Sequence, residues 1–270
     1  MSSNSDSGTL PLVVLVPGGP GLVAPFYREL IEQVGEFGRV LTYEQRGSEP
    51  PDSKEFHRSV AAYAQELSEV VEREADSHRP TVLMGHSFGV AVVIEALLSG
   101  LPAQGAILLN GFDSAAMLAR GLQTRRRELP EPFQLAYDGM EEKRLETLMP
   151  ILAEHFYPNH FCRLERWPDS FLEAMAKLNM GLAVHFLGTD LFEPDGEIAR
   201  WDRSKELYRI TQPTLLVSGV YDYYLEEDLN RMTSALGNGE AWISRGGSHT
   251  PWVEDPDSFS AAVGRFLSLF

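Results

Sequence analysis

Short apolar runs alternate with amphipathic stretches over the first part of the chain. The runs Leu12–Val16, Arg39–Tyr43, Thr81–Met84 and Ala106–Leu109 are mostly apolar. All four are predicted strands, and the continuous runs Leu12–Val16 and Ala106–Leu109 predict strands that are buried within a sheet. Between them, Ser59–Asp76 repeats its apolar side chains at helical spacing and carries acids on the other face. This alternation of strand and helix predicts an α/β fold with a mainly parallel, doubly wound sheet.

The alternation stops at about residue 113 and returns near residue 204. The intervening segment has helical stretches interrupted by six prolines and no convincing buried strand. Strand and helix patterns then resume with Pro213–Gly219, Glu226–Leu236, Ala241–Ser244 and Asp257–Leu269. We therefore predict a core domain made of residues 1–112 and 204–270, with residues 113–203 inserted as a helical cap.

Composition narrows the class of protein. A formal net charge of −16 argues against nucleic acid and anionic membranes as partners. The first nine residues are polar and Ser-rich, unlike a signal peptide, and no run approaches the roughly 18 apolar residues of a membrane span. The single cysteine, Cys162, cannot form an intramolecular disulfide and is expected to be an inert filler. These observations predict a cytoplasmic protein, and its oligomeric state stays open.

Residues 85–89, Gly-His-Ser-Phe-Gly, follow a predicted strand and precede the apolar helical run Val90–Leu98. Gly-x-Ser-x-Gly in this strand–turn–helix context presents the serine on a tight, strained turn. The residues two before and two after Ser87 must then be small. Ser87 is therefore the candidate nucleophile, provided that the chain supplies a base and an acid.

The acid and the base are expected on loops at the carboxyl ends of strands. Asp222 follows one predicted strand and His249 follows the next, so the order Ser87, Asp222, His249 is that of the α/β-hydrolase fold. Asp113, after the strand that ends near Leu109, is the rival candidate for the acid. His86 is expected to pack rather than to act as the base, because its side chain should point away from the Ser87 hydroxyl.

An acyl-transfer site also needs donors for a developing oxyanion. The backbone N–H groups of Phe88 and Gly19 are the candidates, since Pro20 has no N–H. The Gly19–Ala24 stretch also fits a dinucleotide-binding fingerprint, with Glu44 about 20 residues further on. That alternative leaves Ser87 and His249 unexplained, and we predict no cofactor.

Other groupings give weaker signals. His155 and His160 lack a third partner at metal-ligand spacing, so no metal is predicted. The consecutive arginines 125–127 are expected to form a solvated face of the cap. An apolar stripe at helical spacing favours core over substrate wall; it consists of Trp167, Phe171, Met175 and Leu178. Tyrosines 221, 223 and 224 surround the candidate acid and are expected to line a pocket.

Several segments resemble the proline iminopeptidase family of α/β-hydrolases. They are PGGPG at 17–21, YEQRGS at 43–48, WD at 201–202, GVYD at 219–222 and GSHTPWVED at 247–255. The resemblance implies a serine hydrolase that releases an N-terminal residue from peptides, with relatives that act on amino-acid amides and esters. It covers nearly all of the core domain, whereas the cap matches chiefly as a helical insertion.

The chain differs from this family at the positions that the resemblance implies for recognition of the substrate's free amine. Pro17 replaces the family's His at the start of the glycine loop. Tyr223 follows the candidate acid where the resemblance implies a second acid, and the corresponding cap position falls on Leu191. Asp190 and Glu193, with Asp195, lie beside Leu191 as possible substitutes. Tyr223, Asp190, Glu193 and Trp167 are the candidate substrate-binding residues.

Three function classes remain at this point. The first is a serine hydrolase acting on an ester or amide of a small molecule or short peptide, in the manner of a proline iminopeptidase. The second keeps the scaffold but acts as an esterase, thioesterase, lyase or acyl-transfer enzyme of secondary metabolism. The third, a non-catalytic binding protein, is disfavoured by the complete Ser–Asp–His set.

Overall fold

A computed structural model describes residues 10–48, 58–76, 78–140, 143 and 145–270. The polar tail predicted for residues 1–9 lies outside this range. Among the described residues, no helix is both long enough and apolar enough to cross a membrane.

The predicted strands pair into one parallel sheet. The six strands are β1 (Leu12–Val16), β2 (Arg39–Thr42), β3 (Thr81–His86), β4 (Gly105–Leu109), β5 (Thr214–Gly219) and β6 (Gly239–Ser244). Their order is β2-β1-β3-β4-β5-β6, and each neighbouring pair is parallel. The prediction of an α/β-hydrolase sheet is confirmed. The edge strand β6 begins two residues before its apolar run, because Gly239 and Glu240 pair through the backbone with β5.

Helices cover both faces of the sheet, as the doubly wound prediction requires. Val14 and Val16 of β1 belong to one buried cluster, with residues of α2 (Val60–Glu74), α3 (Phe88–Leu98) and α10 (Glu226–Ala235). Val13 and Leu15 belong to the other, with residues of α1 (Arg28–Val34), α11 (Pro251–Glu254) and α12 (Pro256–Leu267). Alternate side chains along β1 thus fill two cores, which explains why this inner strand is apolar throughout.

Helices joined by loops make up most of the described residues between β4 and β5. The segment contains α4 (Ala115–Glu128), α5 (Glu131–Asp138), α6 (Leu145–Ile151), α7 (Tyr157–His160), α8 (Asp169–Ala176) and α9 (Met180–Leu187). Pro130 and Pro168 immediately precede α5 and α8, whereas Pro150 lies inside α6 and is followed by a π-helical turn at Leu152–Phe156. We call residues 113–203 the cap.

The two ends of the cap lie side by side. Ser114 forms an antiparallel bridge with Asp202, and the Arg203 N–H donates to the Asp113 carbonyl at 2.8 Å. These contacts fit a segment inserted at one point of the core. The boundaries at residues 112 and 204 stay a prediction.

Candidate active site

The turn that follows β3 is as tight as its sequence predicts. Ser87 has φ of 53° and ψ of −119°, a backbone conformation that residues other than glycine rarely adopt. A Cβ at Gly85 would lie 2.5 Å from the Gly89 carbonyl oxygen, and one at Gly89 would collide with the Val16 carbonyl. Both flanking glycines are therefore required for β3, α3 and β1 to meet at Ser87.

The position of Ser87 follows from the order of the strands. β1 and β3 are neighbours, and the chain winds to opposite sides after each of them. The carboxyl ends of two such strands border the crevice where ligands bind in open α/β sheets. Gly19 after β1 and Phe88 after β3 line the same cavity as Ser87. Phe88 is the first residue of α3, so its N–H has no acceptor within the helix.

The Asp222 carboxylate is buried at the carboxyl end of β5. Its Oδ1 lies 3.1 Å from Nδ1 of His249 and accepts from the Tyr223 N–H at 2.7 Å. Its Oδ2 accepts from Asn110 Nδ2 at 2.5 Å and from Ser218 Oγ at 3.3 Å. Four donors thus compensate the loss of water around this carboxylate and hold its orientation.

The His249 ring lies between this carboxylate and a tyrosine. Because the carboxylate accepts, His249 carries its proton on Nδ1 and leaves Nε2 as an acceptor. The Tyr223 hydroxyl donates to Nε2 at 2.8 Å, and the two rings stack with centroids 4.5 Å apart. The histidine is therefore held by Asp222 at one nitrogen and by Tyr223 at the other.

Two phenols stand beside the Ser87 hydroxyl. Burial raises the pKa of Tyr223 and of Tyr224 well above the ordinary value, and the charge of Asp222 raises both further. The Ser87 hydroxyl, within hydrogen-bonding reach of both phenols, opposes these shifts. Both tyrosines consequently remain neutral hydroxyl groups at the entrance to the candidate nucleophile.

His86 packs behind the site, as predicted. Its Nε2–H donates to the His249 carbonyl at 3.2 Å, so its Nδ1 accepts from the Tyr27 hydroxyl at 3.1 Å. That hydroxyl accepts in turn from the Gly18 N–H. Burial, followed by the nearby His249, holds the pKa of His86 well below its ordinary value. A neutral His86 thereby joins the glycine loop after β1 to the loop that carries His249.

The cavity above Ser87 is apolar on the side of the cap. We call six of the cap side chains that line it the cap wall: Met149, Phe156, Met175, Leu178, Met180 and Leu191. On the opposite side lie the groups that we call the catalytic edge: Gly19, Ser87, Asn110, Asp222 and His249. Gly19, Ser87 and His249 line the cavity directly, together with Tyr223 and Tyr224.

The candidate substrate-binding residues divide into two groups. Tyr223 lies at the site, in contact with His249. Asp190 is buried and accepts from the Tyr137 hydroxyl at 2.5 Å and the Phe192 N–H at 2.9 Å. Glu193 is exposed and accepts from Gln123, and Trp167 donates to the Cys162 carbonyl. The structure therefore does not bring Asp190, Glu193 or Trp167 to the wall of the cavity, because each is engaged elsewhere.

The apolar stripe of the cap is divided between the hydrophobic core and the wall of the cavity. Met175 and Leu178 line the cavity, whereas Phe171 is buried in the core and Trp167 packs on Phe161. Cys162 is buried in that same core, and burial raises the pKa of its thiol. An unreactive Cys162 agrees with this environment.

The residues behind two alternative predictions, Asp113 as the acid and Glu44 as part of a dinucleotide site, bind other groups. Asp113 is fully buried, and Arg231 of α10 donates to both of its oxygens at 2.7 and 3.0 Å. It thus forms an ion pair at the base of the cap, away from His249. Glu44, the acid of the apparent dinucleotide fingerprint, accepts from the Ala24 N–H at 2.9 Å.

Sequence reasoning missed Asn110 and Arg125. Asn110 follows β4 directly and donates to Asp222 and to the Ser248 carbonyl, so its place at a strand end was an available signal. Arg125 of α4 donates to the Asp222 and Val220 carbonyls, both at 2.8 Å. Its side chain is 15 % exposed and that of Arg126 is 16 % exposed, so the expectation of a solvated face is wrong for both. Gly121, one turn earlier, lets α4 lie against the Tyr223 carbonyl, where any side chain would collide.

Comparison with known proteins agrees with this architecture. The family model described as the alpha/beta hydrolase family matches residues 13–262. The chain belongs to the alpha/beta hydrolase family. The proline iminopeptidase of Thermoplasma volcanium is 26 % identical over 258 residues, which cover 93 % of this chain and 86 % of that protein. Family and relatives together make this protein a hydrolase.

Solved structures extend the likeness to the whole fold. The crystal structure of the Mycobacterium smegmatis proline iminopeptidase has a TM-score of 0.82 and 21 % identity, covering 99 % of this chain and 92 % of that one. The crystal structure of VinJ has a TM-score of 0.84 and 22 % identity, covering 97 % and 91 %. At these identities the structures support the fold alone.

Proposed function

We propose that this alpha/beta hydrolase is a serine hydrolase that opens an ester or amide bond through an acyl-enzyme. Ser87 is the nucleophile, His249 the base and Asp222 the acid that orients it. The observation that carries the proposal is the buried bond between Asp222 Oδ1 and His249 Nδ1, 3.1 Å long, on the same cavity as the strained Ser87 turn. This constellation is defined by geometry and roles rather than by position in the chain.

In the first step, the Ser87 Oγ attacks the substrate carbonyl carbon. The hydrogen bond from the Tyr223 hydroxyl to Nε2 of His249 breaks. Nε2 then takes the Ser87 proton as the new C–O bond forms. The N–H groups of Phe88 and Gly19 bind the developing oxyanion. The bond from carbon to the leaving group then breaks, and His249 returns the proton to the departing oxygen or nitrogen.

In the second step, water takes the place of the leaving group. His249 removes one proton from the water as its oxygen attacks the acyl carbon, and the bond to Ser87 Oγ breaks. The proton passes to Oγ, the acid product leaves, and the enzyme is restored. Asp222 keeps its hydrogen bond to Nδ1 of His249 and stabilises the imidazolium that forms twice in each cycle.

The curated relatives are named proline iminopeptidases. Their name makes an amide bond at the end of a peptide one candidate for the bond that is cleaved. The proposal covers the ester or amide chemistry that Ser87 and His249 would perform on either kind of leaving group.

Labelling with a fluorophosphonate tests the nucleophile. An activated Ser87 would form an Oγ–P bond with loss of fluoride, and a mass increase on the peptide that contains Ser87 reports it. Ser87→Ala should abolish labelling and reduce kcat/KM on simple acyl esters by about 10⁴-fold. Ser99→Ala, at the exposed end of the same helix, is the matched control and should label normally. Failure of the unmodified protein to label would overturn the proposal.

A further inference from the structure

The cavity above Ser87 has a chemical character of its own. Around it, the described residues contribute no Asp, Glu, Lys or Arg side chain. The polar side chains among the lining residues are those of Ser87, His249, Tyr157, Tyr223 and Tyr224. Burial raises the pKa of Tyr157 to about 12, so this phenol is also neutral. The cavity therefore offers no counter-charge to an ion.

Two carboxylates, those of Asp222 and Asp190, are adjacent in the chain to residues that line the cavity. Both accept hydrogen bonds from other groups. Asp222 is surrounded by four donors behind His249. Asp190 accepts from Tyr137 with one oxygen and from the Phe192 N–H with the other. Its neighbour Leu191 lines the cavity instead. Asp190 and Leu191 are adjacent, and the alkyl side chain is the one that reaches the substrate space.

An ammonium group in this cavity would lose its water without gaining a carboxylate. The desolvation of an unpaired charge is strongly unfavourable, whereas an alkyl or aryl group gains free energy roughly in proportion to the area it buries. Three methionines of the cap wall, Met149, Met175 and Met180, are unbranched and can adapt to different apolar shapes. The wall thus excludes charge and tolerates variation in shape.

We propose that the acyl group transferred to Ser87 is an uncharged alkyl or aryl acyl group with no free amine next to its carbonyl. This substrate class rests on the proposed acyl-enzyme function. It differs from the class that the relatives' name implies, because the cap wall presents Leu191, rather than the neighbouring Asp190, to the substrate.

Two esters that differ in one amine test this substrate class. They are the p-nitrophenyl esters of 4-methylpentanoic acid and of L-leucine, which share the leaving group and the carbon skeleton. At pH 6 the leucine amine is mostly protonated. With Ser87→Ala as the blank for spontaneous hydrolysis, kcat/KM should favour 4-methylpentanoate by at least about 100-fold. A ratio near one, or a preference for the leucine ester, would overturn the inference.

A charge placed in the cap wall tests where the selectivity arises. Leu191→Glu adds a carboxylate to the cavity, and Leu191→Gln adds a side chain of the same shape without the charge. The preference for 4-methylpentanoate should be at least about 10-fold smaller in Leu191→Glu than in Leu191→Gln, because the carboxylate can pair with the ammonium. Equal preferences in two folded variants would overturn the assignment of charge selectivity to this wall.

The two proposals fail in different ways. If neither ester is hydrolysed and the fluorophosphonate does not label Ser87, the serine hydrolase proposal fails. If Ser87 is labelled and the leucine ester is the better substrate, the serine hydrolase proposal stands and the substrate class is wrong.

Discussion

The catalytic edge and the cap wall border the same cavity but are built on different principles. The catalytic edge is held by buried hydrogen bonds between residues that lie far apart in the chain, such as Asn110 with Asp222 and His86 with the His249 carbonyl. The cap wall consists of methionine, leucine and phenylalanine side chains, which pack without directional bonds. Hydrogen bonds constrain the positions of individual atoms, whereas apolar packing mainly constrains the volume that the side chains fill.

We therefore expect the catalytic edge to control the reaction rate and the cap wall to control the selectivity between substrates. We expect a substitution at the catalytic edge to change the rate for every substrate, because it displaces the reacting atoms. A substitution in the cap wall should change the ratio between substrates. Arg125 and His160 connect the two regions, since both side chains come from the cap and bond to carbonyls of the loop that carries Asp222.

The largest expected effect concerns the acid of the catalytic edge. Asp222→Asn should lower kcat by about 10³–10⁴-fold on any ester, because an amide at this position no longer holds His249 as the Nδ1–H tautomer. Steady-state kinetics on 4-methylpentanoate p-nitrophenyl ester would measure it.

Asp113→Asn is the matched variant at the base of the cap. It weakens the ion pair with Arg231, whose side chain is 41 % exposed, so we expect a loss of about 1–2 kcal/mol in the free energy of unfolding with kcat nearly unchanged. Urea unfolding followed by kinetics separates the two effects. A folded Asp113→Asn protein as inactive as Asp222→Asn would contradict the choice of Asp222 as the acid.

A smaller effect is expected at the connection between the cap and the catalytic edge. Arg125→Met removes the donors to the Asp222 and Val220 carbonyls. The loop that presents the acid should loosen and kcat should fall about 10-fold, the equivalent of about 1.4 kcal/mol in the barrier. KM should change little, because Arg125 does not line the cavity. Steady-state kinetics and the free energy of unfolding would both be measured.

Arg126→Met is a close control, since the two side chains are 15 % and 16 % exposed. Arg126 bonds to Asp138 and lies over the Tyr137 ring, within the cap. Its replacement should leave kcat within about twofold of the unmodified enzyme. Equal losses in both variants would show that the effect is general to the cap rather than due to the carbonyl contacts.

The smallest effect is a difference in acid stability between the two regions. Burial lowers the pKa of His86, which packs behind the catalytic edge, well below its ordinary value and lowers that of His160 in the cap. In the unfolded chain both are expected to titrate near pH 6.5. Between the folded and unfolded pKa values the unfolded chain binds more protons, so stability is lost as the pH falls below about 6.5, by up to about 1.4 kcal/mol per pH unit for each site.

Unfolding in urea at pH 5, 6 and 7 would measure this loss. His86→Gln should flatten the dependence more than His160→Gln, because the pKa of His86 is the more strongly shifted. Profiles parallel to that of the unmodified protein in both variants would show that other groups control acid stability.

The sheet could be predicted nearly residue by residue. β1 and β4 match their apolar runs to within one residue, because a strand buried on both faces must be apolar at every position. The Ser87 turn was equally accessible, since Gly85 and Gly89 are demanded by local geometry. The placement of Asp222 and His249 at neighbouring strand ends followed from the topology of such sheets.

The chain by itself therefore determined the fold, the strained turn and the strand ends that carry Asp222 and His249, all of which depend on local pattern and backbone geometry. The tertiary structure alone decided the partners of the polar side chains. Asp190 bonds to Tyr137, 53 residues away, and Arg125 bonds to the carbonyl of Asp222, 97 residues away. A polar side chain buries itself against whichever donor or acceptor packing brings near, and no local pattern specifies that neighbour. For the same reason the sequence indicated how a carbonyl would be attacked, while the folded cap wall indicates which acyl group can reach Ser87.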